Sequence, residues 1–90
     1  MKVFRALSDE TRREMVRSLM EREEETCVCE FEEFIDRDAS VIYRNVKKLE
    51  DAGIVSTEKK GRELLVSVED EDTVRELLEA ARSLEPGEDR

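Results

Sequence analysis

The apolar positions of this chain form helical stripes first and a strand pattern later, and the change of period locates most of its elements. Val3, Phe4 and Leu7 share one side of a short amphipathic helix that ends near Leu7. Ser8 follows as an N-cap, with Asp9 and Glu10 in the first turn, where carboxylates suit the positive end of a helix dipole. Met15, Val16, Leu19 and Met20 recur at i, i+1, i+4 and i+5, which predicts a helix from about Asp9 to Arg22. The acidic stretch Glu21–Glu25 reads as a loop. Thr26 is placed to cap a third, short helix that buries Val28, Phe31, Phe34 and Ile35. Asp38 opens a fourth, with Ile42, Val46 and Leu49 on its inner side, and Gly53 stands where a helix end favours a left-handed residue.

Beyond Gly53 the period switches. Ile54–Thr57 and Leu64–Val68 are β-rich runs flanking Glu58–Glu63, which reads as a hairpin with a basic tip. Asp70 or Asp72 then caps a last helix with Val74, Leu77, Leu78, Ala81 and Leu84 along one stripe, ended by Pro86-Gly87. Helix–helix–helix–helix–hairpin–helix is the outline of a winged helix-turn-helix, mainly α with a two-stranded β-hairpin as the wing. At 90 residues this is a single domain, residues 1–85, with a polar tail over 86–90. A chain this short buries only about 60–65% of the surface its unfolded form exposes, so pairing with a partner is a natural supplement.

Charge changes the picture through its distribution. The net charge is −9, which alone would argue against a polyanionic partner. Residues 37–62, however, carry seven basic side chains against four acidic ones, while the segments on either side are both acidic. All but one of the lysines fall in that middle segment. A basic stripe on an acidic body is an electrostatic footprint for a polyanion, and chance clustering on a solvated surface is the plainer alternative.

Steps of about 100° per residue put Ser40, Arg44 and Lys47 opposite Ile42, Val46 and Leu49, with Val41, Tyr43 and Lys48 flanking. That outward face mixes hydrogen-bonding, cationic and apolar groups, as a reader of the major groove of double-stranded DNA requires. Arg44 can bond a guanine edge with both arms, Ser40 a base or phosphate, and Val41 a thymine methyl, while Tyr43 reaches backbone or base. Asn45 stands beside the buried stripe, where it either reads adenine or satisfies a backbone group. Lys59, Lys60 and Arg62 ride on the hairpin tip and are expected to track phosphates.

The absences narrow the field. The chain has no His and only three isolated glycines, which excludes imidazole triads, HExxH zinc sites and Gly-rich phosphate loops. An enzyme is therefore not expected. No apolar run approaches the 18 or more residues of a bilayer span, and Met1–Arg5 has no apolar signal region, so a soluble cytoplasmic protein without a membrane partner is expected. A winged-helix module that binds another protein through its acidic faces is the rival to a DNA-binding regulator.

The string Ala6-Leu7-Ser8-Asp9-Glu10-Thr11-Arg12-Arg13 resembles the opening signature of the arsenical-resistance repressor family (ArsR/SmtB), which usually reads ALSDPTR. Cys27-Val28-Cys29-Glu30-Phe31 is similar to that family's CVC-acidic-Leu segment, and the resemblance runs without a gap from Ser40 to Val55. Lys60-Gly61-Arg62 matches its basic-Gly-basic wing turn, so residues 4–68 are covered. The resemblance implies a homodimeric winged-helix repressor of transcription, paired through its first and last helices, that leaves its operator when an inducer binds. Tyr43-Arg44-Asn45 departs from the Ser-Arg-His common in the family's recognition helix. Thr73–Leu84 also lacks the Asp and His set of the zinc-sensing members.

Cys27 and Cys29 are the chain's thiols and its candidate metal ligands. Soft thiolates favour As(III), Cd(II), Zn(II) or Cu(I), any of which would act as an inducer and not as a required cofactor. Inside a regular helix an i, i+2 pair points to sides about 200° apart, so it chelates one ion only if the helix starts late or unwinds. In the family's arsenic sensors a third Cys can follow three residues after the second; here Glu32 holds that place. Another subunit, Glu30, Glu32 or water would complete such a site. A disulfide across one residue is disfavoured by strain and by a reducing cytoplasm. The remaining readings are a redox sensor and a purely structural pair.

Overall fold

The computed structural model describes residues 2–22 and 25–82. α1 (Lys2–Leu7) and α2 (Glu10–Arg22) follow the apolar stripes closely. The cap between them is Asp9, whose Oδ1 accepts the Arg12 N–H at 3.2 Å. Ser8, expected as the cap, instead turns its hydroxyl back to donate to the Arg5 carbonyl at 2.7 Å and closes the end of α1. One short polar residue thus ends a helix while its neighbour starts the next.

The following segment departs most from the periodic reading. Thr26–Cys27 form a short strand, β1, and α3 (Val28–Phe31) is a single turn. Cys27, not Thr26, is the N-cap: it has extended φ/ψ of −66° and 136°, and its Sγ accepts the Cys29 N–H at 3.3 Å. Glu30 returns the bond to the Cys27 N–H, completing a capping box. After Phe31 the chain tightens, with Glu32, Glu33 and Phe34 each bonding three residues back, and Ile35 then bonds the Phe31 carbonyl at 2.8 Å. That tightening brings Ile35 into the core and leaves Phe34, expected inside, 41% exposed and edge-on to Phe31 at 5.8 Å.

α4 (Ala39–Asp51) starts after Asp38 and ends as its glycine requires. Gly53 has φ +79°, its N–H bonds the Glu50 carbonyl at 2.9 Å, and the Ile54 N–H bonds the Leu49 carbonyl at 3.0 Å. This pair of bonds is a Schellman closure, and it satisfies two carbonyls that the helix would leave open. β2 (Val55–Lys60) and β3 (Glu63–Val68) then pair antiparallel, Val55 opposite Val68 and Lys60 opposite Glu63, around a two-residue turn in which Gly61 has φ +61°. β1 lies on the other side of β3, with Thr26 opposite Val66, so the wing is part of a three-stranded sheet in the order β1-β3-β2. Two residues are too few to show a period of two, so the third strand has no signature in the sequence.

α5 (Glu71–Arg82) is capped by Asp70, whose Oδ1 accepts the Thr73 N–H at 3.2 Å. The Ala81 side chain, Leu84, the Pro86-Gly87 stop and the expected tail over 86–90 lie outside the described residues. The core gathers Leu7, Met15, Val16, Val28, Phe31, Ile42, Leu49, Ile54 and Val66, with Val74 closing it from α5. Among the described residues no helix is long and apolar enough to cross a membrane.

Candidate nucleic-acid interface

Ile42, Val46 and Leu49 are buried, so one side of α4 is fixed against the core and the opposite side is turned outward. On that outward side Ser40, Tyr43, Arg44, Lys47 and Lys48 are exposed, and Val41 is half-buried at the edge of the stripe. Tyr43 is 45% exposed, so its ring lies at the surface of this face. Lys47 makes a loose i, i+4 pair with Asp51 at 3.8 Å, with both side chains largely in water, so its ammonium stays available.

Asn45 leaves this set. It is only 8% exposed, and its Oδ1 accepts a hydrogen bond from Arg12 Nη1 at 2.8 Å. A side chain held inside by a buried guanidinium does not reach a base edge, so the expectation that Asn45 reads DNA is corrected. Arg12 is itself buried, although sequence reasoning does not single it out. A signal exists: Arg12 lies three and four residues before Met15 and Val16, on the buried stripe, and Asn45 is the only side-chain amide in the chain.

The wing is tied to α4 at its base. The Thr57 hydroxyl donates to Glu50 Oε2 at 2.8 Å, linking β2 to the last turn of α4 beside the Gly53 closure. Strand alternation puts Lys59 on the same face as Thr57, and Lys60 on the opposite face with Ser56 and Glu58. Lys60 Nζ lies 3.8 Å from Glu25 Oε1, both side chains exposed. Arg62 is exposed in the turn itself. The three cations therefore share the tip but not one face, and Lys59 and Arg62 are the two with no carboxylate partner among the described ion pairs.

Cys27 and Cys29 come together because α3 starts one residue later than periodicity suggests. With Cys27 extended, its Sγ does not point away from that of Cys29, and the two are joined in a disulfide with Cα atoms 5.2 Å apart. The expectation against a disulfide across one residue is thus corrected, while the late helix start required for chelation is present. Glu30 is not a spare ligand, since it caps Cys27 and pairs with Arg22. Among the described residues no group of three or more His, Cys, Asp or Glu side chains converges on a common point. Once reduced, the pair offers two sulfurs, and the described residues around it supply no third donor.

Residues 7–75 match the family model described as HVO_A0114. A protein named as an arsenical resistance operon repressor, ArsR, of Halobacterium salinarum is 40% identical over 60 residues, which is 67% of this chain and 46% of that protein. A cadmium resistance transcriptional regulatory protein CadC homolog of Staphylococcus aureus is 34% identical over 80 residues, 89% of this chain and 64% of its own length. The arsenic resistance transcriptional regulator ArsR1 of Pseudomonas putida is 38% identical over 60 residues, 67% of this chain and 46% of that protein. The chain thus spans about half the length of two of these relatives and under two thirds of the third.

Proposed function

Because this chain belongs to the HVO_A0114 family and is of the arsenical-resistance repressor (ArsR/SmtB) kind, we propose that it is a DNA-binding transcriptional regulator acting as a homodimeric repressor. The observation that carries the proposal is the outward row Ser40, Tyr43, Arg44 and Lys47, backed by a buried stripe and tied at its end to a wing with a basic tip. Arg44 and Tyr43 read bases, with Ser40 and Val41 beside them, while Lys47, Lys48, Lys59, Lys60 and Arg62 hold phosphates. The acidic remainder repels duplex elsewhere and keeps binding on this face.

Pairing through α1 and α5 is supported by their packing on one another and by the half-buried Phe4, Leu77 and Leu78 they carry. A second copy would cover that apolar surface, and a two-fold dimer would present two copies of α4 to a palindrome. The inducer is a thiophilic ion of the As(III), Cd(II), Zn(II) or Cu(I) class. Reduced Cys27 and Cys29 would supply two of its donors, and a second copy or water the rest. An enzymatic role is not proposed, in keeping with relatives named as regulators.

The test is retention of random duplexes on a gel as salt is raised, followed by sequencing of what is bound. The proposal expects retention that weakens steeply with salt and an enriched palindromic motif. Retention at no salt concentration, or salt-insensitive binding to a protein instead, would overturn it.

A further inference from the structure

A single buried guanidinium joins three helices in this fold. Arg12 Nε donates to the Ala6 carbonyl at 2.6 Å and Nη2 to the Arg5 carbonyl at 3.3 Å, closing the end of α1. Its third arm, Nη1, donates to Asn45 Oδ1 in α4 at 2.8 Å. Asp9 Oδ2 is 4.0 Å from Nη1 and far more exposed than Arg12, so it contributes little direction to the arrangement. Arg13 reinforces the same end of α1 by donating to the Leu7 carbonyl at 2.8 Å.

We propose that Arg12 and Asn45 are positioning residues for sequence reading: their bond sets the roll of α4, and so the aim of Arg44 and Tyr43, and ties it to the end of α1. The inference rests on the DNA-binding reading above. Ile42, Val46 and Leu49 hold α4 against the core, but apolar contacts are non-directional and tolerate a small rotation. The guanidinium fork is planar and has its other arms committed to α1, so the Asn45 carbonyl meets it at one roll angle. Arg44 is the adjacent residue, and any rotation that breaks the bond turns Arg44 by the same angle. A roll of about 10° moves an atom at the outer helix radius of about 5–6 Å by about 1 Å. That displacement exceeds the spread of distances a good hydrogen bond allows, so paired bonds to a guanine edge would be lost. Since α1 belongs to the proposed dimer surface, the same bond links pairing of two copies to the aim of the reading helix.

The experiment uses the full chain, a duplex carrying the selected motif and a scrambled duplex of equal length. Binding to each is measured by fluorescence anisotropy, with far-UV circular dichroism and melting recorded in parallel. Asn45→Ala is expected to lower the ratio of selected to scrambled affinity about tenfold, equivalent to about 1.4 kcal/mol. Asn45→Asp keeps an acceptor oxygen for Arg12 and is expected to restore the ratio. If Asn45→Ala does not fold, Arg12→Lys replaces it, because one ammonium cannot span Ala6, Arg5 and Asn45 together. A merely structural role would reduce the active fraction and weaken both duplexes alike, leaving the ratio at its native value. An unchanged ratio in Asn45→Ala or Arg12→Lys, or no recovery in Asn45→Asp, overturns the inference. A native chain that distinguishes no duplex overturns the DNA-binding reading as well, which separates the two failures.

Discussion

Replacing Gly53 by Ala isolates one physical cause at the joint between α4 and the wing. Gly53 has φ +79°, and a Cβ built there meets nothing within 4 Å. The substitution therefore adds no clash, and its whole cost is conformational. Holding an L-residue in the left-handed region costs about 1–2 kcal/mol. The loss of backbone freedom in the unfolded chain returns about 0.4–1 kcal/mol, leaving a net destabilisation of about 1 kcal/mol. For a domain of this size that lowers the melting temperature by about 4–8 °C. Gly53→Asn should cost less, because Asn adopts the left-handed conformation more readily. Urea unfolding and thermal melts of the three proteins read the difference directly. Equal stability of native and Ala proteins would show that the helix end does not depend on the left-handed residue. A destabilisation of several kcal/mol would reveal interactions at this position that the open space denies, and Asn no better than Ala would rule out conformation as the cause.

Other outcomes follow from the same structure. Phe31→Ala removes a fully buried ring and should cost about 3–5 kcal/mol, whereas Phe34→Ala at an exposed ring should cost under about 1 kcal/mol, both read from urea midpoints. Lys59→Ala and Arg62→Ala should each weaken binding to all sequences alike and reduce the slope of log affinity against log salt by about 1 for each phosphate no longer neutralised, whereas a changed motif with an unchanged slope would place them on bases. Thiolate absorption on titration with As(III) or Cd(II) should develop only after reduction of the Cys27–Cys29 disulfide. It should disappear in the Cys27→Ser, Cys29→Ser double variant, and a response that survives would move the inducer site elsewhere.

The elements legible in the sequence are those long enough to show a period. Thirteen residues of α4 display Ile42, Val46 and Leu49 on one side, so that helix, its Gly53 end and its outward face can be read from the residues alone. What escapes is local and tertiary. β1 is two residues long, and its existence depends on the free edge of β3 more than on its own composition. The exposure of Phe34 follows from where α3 tightens, which hydrophobicity cannot show because Phe31 and Phe34 look alike. Helical angle places Asn45 beside the buried stripe, but only Arg12, 33 residues earlier, decides that it turns inward. Lys59 and Lys60 look equivalent in the sequence, and strand alternation separates them.

The regulator proposed above stands on a reading helix whose Arg44 selects bases while the wing supplies charge. Selecting bound duplexes from a random pool, with the native protein and with Arg44→Ala in parallel, puts that division of labour to the test. A two-fold symmetric motif is expected for the native chain, with loss of preference at one position of each half-site in the variant, at about 1–3 kcal/mol. The same motif from both proteins, or none from either, would contradict it.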